Sequence, residues 1–119
     1  MTSAYASWLR EEAALIHADG CTGVTNLYAD CCLQHDLEFY YAKSAADAYR
    51  QQRAGHPAPW RDAVPVTFDE ANAHFRACHF RSSRFGYLNL VGWYRYAAMR
   101  LRKTRAAWDA HRAREAQPA

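Results

Sequence analysis

The spacing of apolar side chains divides the chain into helical segments. Over residues 4–17, Tyr5, Trp8, Leu9 and Ile16 fall on roughly one face and Arg10, Glu11 and Glu12 lie elsewhere, which is the pattern of an amphipathic helix. The stretch ADGCTGVTN (18–26) breaks that pattern with two glycines and several turn formers. No Gly or Pro occurs from residue 27 to residue 53, which predicts one long helix closed by Gly55. GHPAPWRDAVP (55–65) carries three prolines and reads as a loop. TFDE (67–70) is a capping box, in which Thr67 caps the helix and Glu70 reaches back. The helix it opens carries Phe68, Phe75 and Cys78 and is expected to end at about residue 84, ahead of Gly86. A last helix over about 88–113 mixes Leu88, Val91, Trp93, Tyr94 and Met99 with many arginines, and the tail 114–119 is expected to be disordered. No segment alternates as a strand does. The pattern predicts an all-α fold in a single domain spanning residues 1–119.

Composition supports one folded domain. Half of the 119 residues are hydrophobic and 23% are charged, which argues against a disordered chain. No apolar run approaches the ~20 residues of a membrane-spanning helix. The N-terminus, MTSAYASWLREEAALIH, lacks a basic start and a long apolar stretch, so it does not read as a secretory signal. The net charge of +3 is unevenly placed: residues 1–78 hold six Lys and Arg against ten Asp and Glu, and residues 79–119 hold nine against two. The second part is therefore basic, at +7 against −4 for the first, and suits an anionic surface. Trp93, Tyr94, Tyr96 and Trp108 interleave with Arg95, Arg100, Arg102, Lys103 and Arg105, a mixture that suits either a membrane interface or a packed helix with snorkelling arginines. No nucleic-acid recognition motif accompanies the charge, so nucleic acid is not an expected partner.

The candidate chemistry lies in DCCLQHD (30–36). The chain has four cysteines, enough for two disulfides in any of three pairings, or for thiols in a reducing compartment. On a helix Cys31 and Cys32 diverge by about 100°, so each can bridge to a different element. Adjacent cysteines suit zinc poorly, because structural zinc sites space paired cysteines by about two to four residues. His35 lies four residues after Cys31, and Asp36 four after Cys32, so each shares a helix face with one cysteine. His17, His56, His74, His79 and His111 are scattered and read as structural or exposed.

The arrangement resembles the secreted phospholipase A2 superfamily, and most closely its small bacterial and phage-type members. The matching residues are DGC (19–21), DCCLQHD (30–36) and the A-x-x-x-F-R-x-C pattern of 71–78, within a resemblance covering about residues 18–108. It implies two long, antiparallel central helices joined by disulfide, flanked by N-terminal and C-terminal helices, with the bonds Cys21–Cys32 and Cys31–Cys78. It also implies calcium-dependent hydrolysis of the sn-2 ester of membrane phospholipids. By position, His35 would be the general base that activates water, and Asp36 the side-chain calcium ligand. Backbone carbonyls near Gly20, Thr22 and Val24 would complete the Ca²⁺ site.

Two positions depart from the family pattern. Phe39 stands where the family usually has a tyrosine, and Asn72 where it has the aspartate that orients the histidine. Asn72 can accept a hydrogen bond but brings no charge, so His74 or Tyr49 are alternative helpers. If position 72 orients His35, an aspartate there is expected to raise turnover. The resemblance further implies a monomer working at a phospholipid membrane surface, extracytoplasmic or secreted by a route other than an N-terminal signal, with association with a phage particle as one setting. Two alternatives stand beside it: a weak or inactive phospholipase-like module that binds membrane or protein, and a cytosolic helical interaction protein with reduced cysteines.

Overall fold

A computed structural model describes residues 3–18, 29–82 and 90–116. Its elements are α1 (Ser3–Leu15), α2 (Ala29–Tyr41), α3 (Ala45–Arg53), α4 (Pro59–Asp62), α5 (Phe68–Ser82), α6 (Leu90–Met99) and α7 (Arg102–Glu115). Among the described residues the only non-helical pairing is an isolated antiparallel bridge between Lys43 and Pro65. The all-α expectation holds at this level.

The amphipathic face of α1 buries as its spacing predicts. Leu9 is fully buried, Trp8 nearly so, and Tyr5 and Ile16 pack against the same cluster. The helix ends at Leu15, two residues before the expected end. His17 adopts a left-handed conformation (φ 56°) and the Ala18 N–H returns to the Ala13 carbonyl at 3.0 Å.

The expected long helix over 27–53 is divided in two. α2 closes at Tyr41, and Ala42 turns left-handed at φ 55°. Ser44 then caps α3 by accepting from the Asp47 N–H at 3.2 Å, and the buried Glu38 carboxylate accepts from the Ala45 N–H at 2.8 Å. The bridge to 64–66 holds the turn, with Ser44 N–H donating to the Val64 carbonyl and Val66 N–H to that of Ala42. A helix can thus stop without Gly or Pro when tertiary partners satisfy its ends.

The loop 55–65 contains the helical turn α4, with Pro59 at its start. Its Trp60 stacks on Trp8 and Tyr41, with ring centroids 5.6 and 4.2 Å away, and donates from Nε1 to Glu12 at 2.7 Å. The capping box at Thr67 forms as expected. Thr67 Oγ1 accepts from the Glu70 N–H and Glu70 Oε1 from the Thr67 N–H, at 3.1 and 3.0 Å.

The C-terminal helix is also divided. The chain turns at Arg100 and Leu101, with Leu101 extended at ψ 152°. That turn returns α7 to the body, where Trp108 buries beside Val66, Phe68, Ala71 and Phe39. α7 continues through Glu115, so the tail begins later than residue 114; residues 117–119 lie outside the described part.

α2 (13 residues) and α5 (15 residues) pack side by side at the centre. Cys31 bonds to Cys78, and further along α2 His35 meets Asn72, so the helices run antiparallel. The expected Cys31–Cys78 disulfide is present, with its Cα atoms 5.7 Å apart. Cys21 lies outside the described residues and the Cys21–Cys32 bond with it; no described cysteine is a free thiol.

Candidate functional site

The disulfide pins one end of the α2–α5 pair, and the residues one turn on, His35 and Phe75, follow from it. Each lies on the face of its helix that meets the other. His35 is 6% exposed and Asn72 only 1%. The His35 ring sits 4.8 Å from the ring of Phe75 and 6.1 Å from that of Phe39.

Hydrogen bonding fixes the protonation pattern of His35. The Asn72 amide lies between two partners: Nδ2 is 3.2 Å from the Met99 carbonyl, and Oδ1 is 2.9 Å from His35 Nε2. A carbonyl only accepts, so the NH₂ group must face Met99 and the amide oxygen must face the imidazole. Nε2 therefore carries the proton and donates it to Asn72. In the neutral ring this leaves the lone pair on Nδ1.

Burial pushes the His35 pKa below that of a free histidine. The hydrogen bond to Asn72 partly offsets this, and the nearby His79 ring pushes in the same direction as burial. The imidazole is consequently neutral at neutral pH, the state in which it can take up a proton.

The alternative helpers are placed elsewhere. Tyr49 stacks on Tyr5 and packs on Trp8, with centroids 5.1 and 5.3 Å apart, within the α1–α3 aromatic cluster. His74 bonds through Nδ1 to the buried Glu38 carboxylate at 2.9 Å. The side chain bonded to His35 is Asn72, the residue expected at the orienting position. Phe39 packs edge-on against Trp108 at 5.2 Å, so its ring anchors α7.

Asp36 points to another side of α2, as its position one residue on requires. It lines a cleft of about 290 Å³ between α2, the end of α1 and α7. Phe39 and Tyr40 share its wall, with Ile16 and Ala18 on one side and Ala107, His111 and Arg114 on the other. A carboxylate is the hard oxygen donor that calcium takes, so Asp36 is chemically suited to the expected role. The proposed carbonyl ligands at Gly20, Thr22 and Val24 lie outside the described residues. Among the described residues, no group of three or more His, Cys, Asp or Glu side chains is gathered as a metal cluster.

Two features went unread in the sequence. One is Glu38, 1% exposed, whose carboxylate joins His74 of α5 to the start of α3. A carboxylate three residues after His35 on the inward face of α2 was the available signal. The other is the Met99 carbonyl, a backbone group with no signature in the sequence. Among the scattered histidines, His79 is fully buried and bonds to the Phe75 carbonyl, His111 bonds to the Tyr40 carbonyl, and His56 is exposed beside Asp62.

Among the described residues no helix is long and apolar enough to cross a membrane. Compared with protein-family models, curated proteins and solved structures, the chain matches none.

Proposed function

We propose that this chain is a small calcium-dependent phospholipase A2 that hydrolyses the sn-2 ester of phospholipids at a membrane surface. The observation that carries the reading is a buried, neutral His35 whose Nε2–H is committed to Asn72, on a helix pair joined by Cys31–Cys78. An antiparallel, disulfide-joined helix pair accompanied by α1 and by α6–α7 supports this reading.

In this mechanism Nδ1 of His35 removes a proton from water as the water oxygen bonds to the ester carbonyl carbon. The acyl–oxygen bond then breaks, and the same nitrogen returns the proton to the departing lysophospholipid alcohol. Fatty acid is the other product. Asn72 holds the ring through both transfers and offers the imidazolium an amide dipole in place of a full charge. Asp36 would supply a carboxylate ligand to calcium; the backbone carbonyls near Gly20, Thr22 and Val24 that the resemblance implies lie outside the described residues. Calcium, when bound, supplies positive charge that polarises the ester carbonyl and offsets the developing oxyanion. The working form is a monomer on a phospholipid surface. A disulfide suits an oxidising, extracytoplasmic setting.

A second reading has its own support. Asn72 brings no negative charge and His35 is only 6% exposed, which favours a phospholipase-like module that binds membrane or protein without turnover. Fatty-acid release from vesicles carrying a labelled sn-2 chain decides between them. The enzyme releases label in calcium, stops in chelator, and loses activity in His35→Ala. Release that ignores calcium or survives His35→Ala sinks the hydrolase mechanism, and no release at all leaves the binding module.

A further inference from the structure

We propose that the exposed elbow between α6 and α7 is the face that docks on an anionic lipid surface. The class of partner rests on the phospholipase reading above. By sequence, the aromatic and basic mixture near the C-terminus suits either an interface or a packed helix. The fold sorts it into two sets.

One set is packed. Trp108 is buried against Phe39 and Phe68, Arg112 lies over its ring, and Arg105 pairs with Asp109. The other set faces outward at the elbow. Tyr94 is 72% exposed and Leu101 60%, with exposed Ala97 between them. Steps of three and four residues put these on one side of α6 and its closing turn, where the Leu101 N–H bonds to the Ala98 carbonyl. Exposed Arg100, Arg102 and Lys103 flank Leu101. The elbow is held from both sides. Asn72 Nδ2 donates to the Met99 carbonyl at 3.2 Å, and Trp108 anchors α7 in the core. This keeps Tyr94 and Leu101 turned outward.

Local stability gives no reason for the charges at this corner. α7 begins at Arg102 with no side-chain cap and no acid in its first turn, so Arg102 and Lys103 oppose the helix dipole. Among the described residues neither has an ion-pair partner. From residue 71 to residue 108 the sequence holds eight Arg and Lys and no Asp or Glu. A lipid surface answers both halves of the patch. Its phosphates meet the cations, and Tyr94 and Leu101 enter the boundary between headgroups and acyl chains. A second copy of the chain in a symmetric contact would bring the same positive charge. Nucleic acid offers phosphates but no apolar layer for Leu101.

Sedimentation of the full chain with vesicles, without calcium, tests this. The vesicles are phosphatidylcholine alone, or an equal mixture with phosphatidylglycerol. Wild type is expected to bind the anionic vesicles at least about tenfold more tightly, a gain that high salt removes. Arg102→Gln/Lys103→Gln is expected to weaken that binding about thirtyfold, and Tyr94→Ser/Leu101→Ser about tenfold. Arg53→Gln/Arg61→Gln removes the same charge from exposed positions of α3 and α4, and should stay within about twofold of wild type. Equal binding to both vesicles, an equal loss in the α3–α4 variant, or unchanged binding in both elbow variants would each overturn the assignment. So would self-association through the elbow, or a duplex oligonucleotide bound through Arg102 and Lys103 in place of vesicles. Hydrolysis in calcium separates the two proposals. Release from a short-chain phospholipid dispersed as monomers should survive both elbow variants, and release from anionic vesicles should fall with binding. Elbow-dependent binding without release from either substrate leaves the face and removes the enzyme, while vesicle hydrolysis that ignores the elbow leaves the enzyme and removes the face.

Discussion

His35 and Asn72 are joined across α2 and α5 by a 2.9 Å hydrogen bond whose direction is set by a third group, the carbonyl of Met99. One amide satisfies a buried imidazole donor and a partly buried backbone acceptor. Neither partner of Asn72 can be removed without leaving the other arrangement altered.

From the sequence, aspartate at position 72 is expected to raise turnover if that position orients His35. The Met99 carbonyl sets a structural cost against that gain. In Asn72→Asp an acceptor oxygen would stand where Nδ2 now donates, 3.2 Å from the carbonyl. The variant should lose about 1–3 kcal/mol at neutral pH, the cost of an unsatisfied buried polar group, and should release no more fatty acid than wild type. Urea unfolding measures the first; unchanged stability would mean that the Met99 contact does not hold the amide.

His35 should titrate below the ~6.5 of a free histidine. The sign for stability follows. As pH falls below the unfolded value, the unfolded chain binds a proton that the folded chain refuses, so His35 costs stability progressively down to its folded pKa. Imidazole ¹⁵N spectra at neutral pH should show Nε2 protonated and Nδ1 bare. The opposite tautomer would contradict the Asn72 orientation.

His74 should behave oppositely. Its hydrogen bond to Glu38 is the main cause raising its pKa, and the charge on Glu38 and that on Glu70 add to it; partial burial and Arg81 oppose. Its contribution is fully present below the unfolded value and is lost as pH rises through the raised folded one. His74→Ala should therefore be most destabilising in mild acid and approach wild type above that range. Thermal melts across pH check this, and a deficit that grows towards alkaline pH would be inconsistent with an ion pair.

The Cys31–Cys78 bond closes a span of 47 residues that includes α3 and α4. Replacing both cysteines by serine should cost about 2–4 kcal/mol, chiefly by freeing the unfolded chain. It should also reduce activity, because the bond lies one turn from His35. Chemical denaturation and the vesicle assay report these separately; full activity in the serine variant would show that packing alone keeps the two helices in register.

The sequence by itself determined the helical class, the buried face of α1, the capping box at Thr67, the residues His35 and Asn72, and the Cys31–Cys78 pairing by resemblance. Those features rest on local periodicity, local hydrogen bonding or a motif, which a linear reading can reach. Only the tertiary structure decided the rest. Helices end at Tyr41 and Met99 without Gly or Pro, because Glu38, Val64 and the docking of Trp108 reward a turn there. The Glu38–His74 pair and the cleft between Asp36 and Arg114 bring together side chains 36 and 78 positions apart. The tautomer of His35 is set by a backbone oxygen 64 residues away, and a carbonyl that every residue possesses acquires that role only from where the chain folds it.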